Sequence, residues 1–206
     1  YIPPNVLREA SVEPGSNYFL SNISSVLTVY GREDDGVVST WTDENGFRNE
    51  TGSYSETDSF DVFLIGDSFT EGCCVPDEYT IADQIRQITS FSVYNAGKNG
   101  VGLIHKLAVF IEYGLPKKPK NVVLIMPEAA SLNRGTGELG VKQLRRYYEE
   151  HTSNNLIAKT ILKDDILKSA VLSRLAAAPQ NLLEEQYQTP NARSPFRALY
   201  RTLNSK

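Results

Sequence analysis

Three short strand candidates constrain the fold most: the uninterrupted apolar runs Val62-Phe63-Leu64-Ile65 and Val122-Val123-Leu124-Ile125, and residues 91–94 between them. The first, stopped by Gly66, and the last read as strands covered on both faces, and residues 91–94 read as a strand closed by the glycine cluster at 95–102. Between the first two, Thr80 followed by Asp83 resembles a capping box. Ile81, Ile85 and Ile88 then recur at i, i+4 and i+7 along one helical face. Between the second and third, Ile104, Leu107, Ala108 and Ile111 repeat with helical spacing until Pro116 and Pro119 stop the helix. The alternation β-α-β-α-β predicts a parallel sheet with right-handed crossovers and helices on both faces. Ligands of such sheets bind beyond the C-terminal ends of the strands. Those ends are Gly66-Asp67-Ser68, residues 95–100 and residues 127–130.

The flanks differ in texture. Residues 1–59 are turn-rich: Pro3-Pro4, Pro14-Gly15, Asp34-Asp35-Gly36 and Glu44-Asn45-Gly46 separate β-branched runs at 26–30 and 37–42. They read as a β-containing lead-in packed on the main domain. Residues 60–178 form the α/β domain with a helical extension, helical from residue 138 and broken near 151–155. Residues 179–206 make a polar tail containing Pro190 and Pro195. Three strands are few for this architecture, so further chain beyond Lys206 is expected. The chain opens on Tyr1 with no signal-peptide pattern, so any targeting segment is expected upstream of it.

Composition narrows the function classes. Of 206 residues, 40% are hydrophobic and 22% charged, the balance of a globular chain. Lys and Arg number 21 against 25 Asp and Glu, for a net charge of −4. With no run of like charge, this argues against a nucleic-acid or anionic-membrane surface. No apolar stretch approaches the ~18 residues of a membrane span. Cys73 and Cys74 are adjacent, which excludes a disulfide framework; they read as small buried packing residues. No HExxH, CxxC or carboxylate–His cluster has metal spacing, so neither metal nor cofactor is expected. Gly97-Lys98-Asn99-Gly100-Val101-Gly102 has neither phosphate-loop order nor, read from Gly97, dinucleotide-turn spacing.

Ser68 is the strongest candidate for chemistry. It follows a buried strand at a turn toward a helix, where a hydroxyl is exposed at the sheet rim among converging backbone N–H groups. Acyl transfer needs that pairing of a nucleophile with donors for the developing oxyanion. Gly-Asp-Ser is equally an ordinary turn tripeptide. Thr70 rules out the Gly-x-Ser-x-Gly elbow.

The longer string Ile65-Gly66-Asp67-Ser68-Phe69-Thr70-Glu71-Gly72 resembles the first signature block of the SGNH, or GDSL-type, hydrolases. Asn95-Ala96-Gly97-Lys98-Asn99-Gly100 is similar to their second block. Asp43-Glu44-Asn45-Gly46-Phe47-Arg48-Asn49 resembles the Asp-x-x-Gly-Phe-Arg-Asn lead-in of larger bacterial members, where it helps close the sheet. The likeness spans roughly residues 40–170. It implies a three-layer α/β/α, flavodoxin-like domain in which Ser68 is the nucleophile. Gly100 and the Ser68 backbone N–H would be the oxyanion donors; Gly97 is the second choice for Gly100. Asp67 and Asn95 would support the loops.

Two blocks depart from the family. Where it places Gly-x-Asn-Asp, this chain has Glu128-Ala129-Ala130-Ser131, with Ala130 at the Asn position. Alanine donates no side-chain hydrogen bond, a loss of about 2.7–4 kcal/mol of transition-state stabilisation. Asn133 replaces it only on an unusual loop path. The C-terminal Asp-x-x-His is absent; Gly102 and Tyr148 stand three residues before His105 and His151. These read as a helix-surface and a helix-end histidine, so the base is expected beyond Lys206.

The resemblance thus implies a serine esterase or acyl-transfer enzyme for a small or carbohydrate O-acyl ester. The alternative is a catalytically inactive structural or binding subunit of the same fold. Larger members often carry a membrane anchor and work outside the cytoplasm, so an extracytoplasmic, periplasmic setting is the expectation. An anchor or protein complex would involve chain not visible here.

Overall fold

The computed structural model describes residues 19–31, 37–153, 155 and 160–177. The fold is mixed α/β. Strands β1 (Leu27–Gly31) and β2 (Val37–Trp41) pair antiparallel, from Leu27 opposite Trp41 to Gly31 opposite Val37. They occupy the two β-branched runs of the lead-in. A second, parallel sheet contains β3 (Val62–Gly66), β4 (Val93–Gly97) and β5 (Asn121–Leu124), in the order β4-β3-β5. Helices α1 (Ser68–Glu71) and α2 (Ile81–Ile88) link β3 to β4. Helix α3 (Leu103–Val109) continues through a π-turn, Phe110–Gly114, and a 3-10 turn, Leu115–Lys117, into β5. Helices α4 (Glu128–Glu138), α5 (Lys142–Glu150) and α6 (Thr160–Ala177) follow.

The strand pleat divides the core. Phe63 and Ile65 of β3 join Tyr94 and Ala96 of β4 on one face, packed against Ile104, Ala108, Leu144 and Tyr147. Val62, Leu64 and Val93 point the other way, onto Ala82 and Ile85 of α2. Each face thus carries its own helices. Aromatic rings fill the larger cluster: Phe63 stacks on Tyr94 at 5.3 Å, and Phe47 meets Tyr113 edge-on at 5.0 Å between centroids.

Several expectations need correction. The strand expected at 91–94 runs from Val93 to Gly97, so Asn95, Ala96 and Gly97 are strand residues. On α2, Thr80 caps as expected, its Oγ1 accepting from the Asp83 N–H at 3.2 Å. Its inward face, however, is Ala82 and Ile85; Ile81 is exposed, and Ile88 is 78% exposed at the last position. The small Ala82 lets this short helix sit close on Val62 and Val93. The third strand is expected to be buried on both faces, yet Val122, Val123 and Leu124 are each at least 40% exposed among the described residues. Among the described residues it is an edge strand, with β3 on one side only. Helix α4 begins ten residues before the helical stretch expected from 138. Pro179 and the tail from 179 lie outside the described residues, as do residues 1–18.

The segment 43–49 joins the lead-in to the parallel sheet. Asp43 is fully buried. Its Oδ1 accepts from the Asn45 and Phe47 N–H groups, both at 2.9 Å. Its Oδ2 accepts from Asn49 Nδ2 at 3.0 Å and from the Tyr94 hydroxyl at 2.7 Å. The Asn49 amide then pairs with both backbone groups of Asn95, at 3.0 and 2.9 Å, and so covers part of the outer edge of β4. Lys163 of α6 donates to Ser21 Oγ, Asn22 O and Asn45 O at 2.9, 2.7 and 3.0 Å. Ser24 is also bonded to the Asp164 carboxylate. A late helix and an early loop are thereby tied across the molecule.

Candidate functional site

Strand β3 ends at Gly66 and the chain turns at once into α1. The buried Asp67 caps this short helix, its Oδ1 accepting from the Phe69 N–H at 3.1 Å. Its Oδ2 lies 3.9 Å from Lys106 Nζ of α3. Asp67 therefore holds the turn, as expected of it. Ser68 opens α1 partly exposed, and neither its hydroxyl nor its N–H has a partner among the described residues.

The neighbouring strand brings the glycine loop to the same place. Gly66 pairs with Gly97 in parallel register, and the Lys98 N–H donates to Gly66 O at 3.1 Å. A Cβ on Gly97 would fall 2.2 Å from the backbone N of Glu71, so α1 lies directly on the end of β4. Asn95 Oδ1 accepts from the Gly97 N–H at 3.0 Å. That bond occupies the Gly97 amide and removes it as an oxyanion donor. The Gly100 N–H is unengaged among the described residues, at an exposed turn with φ +79°. Of the two glycines, only Gly100 offers a free donor.

Glu71 links the two halves, and sequence reasoning gave it no role. It is 2% exposed, at the end of the helix that Ser68 begins. Its Oε2 accepts from the Asn99 N–H at 2.8 Å, one residue before Gly100. Its Oε1 accepts from the Tyr30 hydroxyl at 2.9 Å and from Asn22 Nδ2 at 3.0 Å. Burial pushes its carboxyl up, while these bonds oppose the rise. The available signal was an acidic residue three positions after Ser68, just before Gly72. Glu71→Gln places an amide NH2 against at least one of these donors. It is expected to cost about 1–3 kcal/mol and to speed hydrogen exchange at Asn99. Unchanged exchange there would remove Glu71 as the strut.

Neither described histidine serves this site. His105 is expected on the helix surface, but it is 1% exposed, and its Nε2 lies 2.9 Å from Leu20 O. Burial, with Lys98 nearby, holds it well below its ordinary value, so it is neutral and donates to that carbonyl. The α3 face that carries it is covered by the lead-in, which no local spacing reveals. His151 ends α5 with left-handed backbone (φ +53°) and is exposed, as expected. Lys98 is buried, donates to Ser21 O at 2.8 Å, and is pushed down to about 7 by burial and by Lys163. Its role is to fasten Ser21 beneath the glycine loop.

The third block is helical. Ala130 falls in the first turn of α4, with its side chain outside the described residues; Asn133 is exposed on the same helix. The far end of α4 acts on α3. Glu138 accepts from the N–H groups of Gly102, Ile104 and His105 at 2.6, 3.0 and 3.1 Å, satisfying amides that the start of α3 leaves open. Cys73 and Cys74, expected to be buried packing, are both partly exposed. They sit in the turn where α1 ends. Among the described residues, no group of three or more His, Cys, Asp or Glu is arranged to hold a metal ion. Comparison with known proteins finds no matching family, no matching curated protein and no matching solved structure.

Proposed function

We propose that the chain is an SGNH-type serine hydrolase domain of three-layer α/β/α, flavodoxin-like architecture. Its reaction would be cleavage or transfer of a small or carbohydrate O-acyl ester, with Ser68 as nucleophile. The observation that carries this reading is the partly exposed Ser68 hydroxyl, without a partner among the described residues, at the end of β3, whose neighbour β4 leads into the Gly100 turn; the amides of Ser68 and Gly100 are likewise unengaged among those residues. Attack by Ser68 Oγ on the ester carbonyl moves charge to the carbonyl oxygen, and those amides are the groups able to receive it. Glu71 sets their spacing from its place on α1. Asp67 holds the turn at Ser68 by accepting from the Phe69 N–H.

A second reading has its own support. His105 is neutral, buried and bonded to Leu20 O, and Ala130 stands at the family's Asn position. Without a base, serine is a weak nucleophile, and a non-catalytic binding or structural subunit of the same fold would look like this. Fluorophosphonate labelling separates the two. The hydrolase reading expects covalent labelling of the native chain, mapped to Ser68 and lost in Ser68→Ala, together with slow p-nitrophenyl acetate turnover that follows the same pattern. If no label reaches Ser68 in folded protein, the binding subunit stands instead.

A further inference from the structure

The turn that ends α1 holds two thiols side by side. Cys73 and Cys74 are both partly exposed, and their Sγ atoms lie 3.4 Å apart. Cys74 adopts left-handed backbone, φ +76°, which an L side chain rarely takes. The turn is fastened around them. Arg48 donates to Gly72 O on one side and to Val75 O, at 2.8 Å, on the other. The Cys73 N–H donates to Ser68 O at 3.1 Å. The thiols are thus held at close range by bonds that do not involve sulfur.

The geometry points to Cys73 and Cys74 as a reversible two-electron redox couple that closes to a vicinal disulfide in the presence of a peroxide. Cys74 Sγ attacks one peroxide oxygen. The O–O bond breaks, an S–O bond forms, and the thiol proton leaves with the second oxygen as water, or as an alcohol from an organic peroxide. Cys73 Sγ then attacks the Cys74 sulfenic sulfur. The S–S bond forms as the S–O bond breaks, and the Cys73 proton departs with the oxygen as water. Two thiols lose two electrons, which the peroxide gains; a dithiol reductant reverses the change. Burial and the neighbouring Cys74 push the Cys73 thiol up to about 12, so Cys73 is assigned the resolving step and Cys74 the attack. Shortening 3.4 Å to the ~2.0 Å of a disulfide rearranges the turn that Arg48 clamps. This couple stands whether or not Ser68 is a nucleophile.

Intact-mass measurement after mild hydrogen peroxide, followed by alkylation with N-ethylmaleimide in denaturant, tests the assignment. The expected result is a monomer lighter by two hydrogen atoms, with both cysteines protected and both restored by dithiothreitol. In Cys73→Ser, dimedone should trap a sulfenic acid at Cys74, because the resolving thiol is gone. The proposal is overturned if both thiols remain alkylatable. It is equally overturned if oxygen adds to one thiol without loss of the hydrogens, if the link forms between chains, or if Cys73→Ser yields no dimedone adduct.

Discussion

Asp43→Ala is expected to lower the unfolding free energy by about 3–5 kcal/mol, close to the whole margin of a small domain. The carboxylate accepts from two backbone amides, the Asn49 side chain and the Tyr94 hydroxyl, all in the interior. Removing it orphans four donors, and each buried donor left unpaired costs about 1–3 kcal/mol before relaxation. A urea midpoint unchanged from wild type would sink this account.

The same residue gives a pH signature. Burial raises the Asp43 carboxyl from 3.8 to about 6, against the hydrogen bonds that lower it. Between those values the folded chain binds the proton more tightly than the unfolded chain. The stability from this group is therefore fully present below about pH 3.8 and lost as pH rises through about 6. Over that window the change is on the order of 3 kcal/mol. Glu71 and Glu138 are also raised by burial, whereas Glu44 and Asp61 are lowered, so the total slope mixes both signs. The test is accordingly a difference. Wild type should lose more stability from pH 5 to pH 7 than Asp43→Asn, which carries no titrating carboxyl there. An equal loss in both proteins would assign the slope to other groups.

Gly97→Ala should be nearly as severe, at about 3 kcal/mol or more. Overpacking usually costs about 1–3 kcal/mol because side chains yield. Here the added Cβ meets backbone: Glu71 N at 2.2 Å and Thr70 C at 2.6 Å. Relief requires α1 to leave the end of β4, which carries Ser68 away from the Gly100 loop. Denaturation midpoint and Ser68 labelling should fall together. Gly137→Ala is the control, since no described residue lies within 4 Å of its added Cβ in α4. A helical Gly→Ala change there should be neutral or mildly stabilising. If Gly97→Ala behaves like this control, the close seating of α1 is wrong.

Some features were legible because their signal is local. The apolar runs at 62–65 and 122–125 mark strands, the β-branched runs at 26–30 and 37–42 mark the β character of the lead-in, and Thr80 marks a helix start. The Gly-Asp-Ser turn after β3 was readable for the same reason: its position follows from the strand before it. Misreadings came where partners are remote. Ile88 has the spacing of a core residue but projects past the sheet, because the small Ala82 faces inward. His105 looks like a surface residue on its helix; the lead-in, 85 residues away, buries it.

By itself, then, the chain's pattern determined the parallel β-α-β-α-β order, the β character of the lead-in before it and the bend at Ser68. Each of these follows from contacts within about one strand or one helical turn. Only the tertiary structure decided that Gly100 and not Gly97 has an open amide, and that Glu71 spans from α1 to the glycine loop. It alone made Asp43 the knot between lead-in and sheet, and made β5 an exposed edge. These outcomes depend on which donors and faces meet across tens of residues. Burial and hydrogen-bond satisfaction settle such pairings globally, and residue spacing along the chain does not encode them.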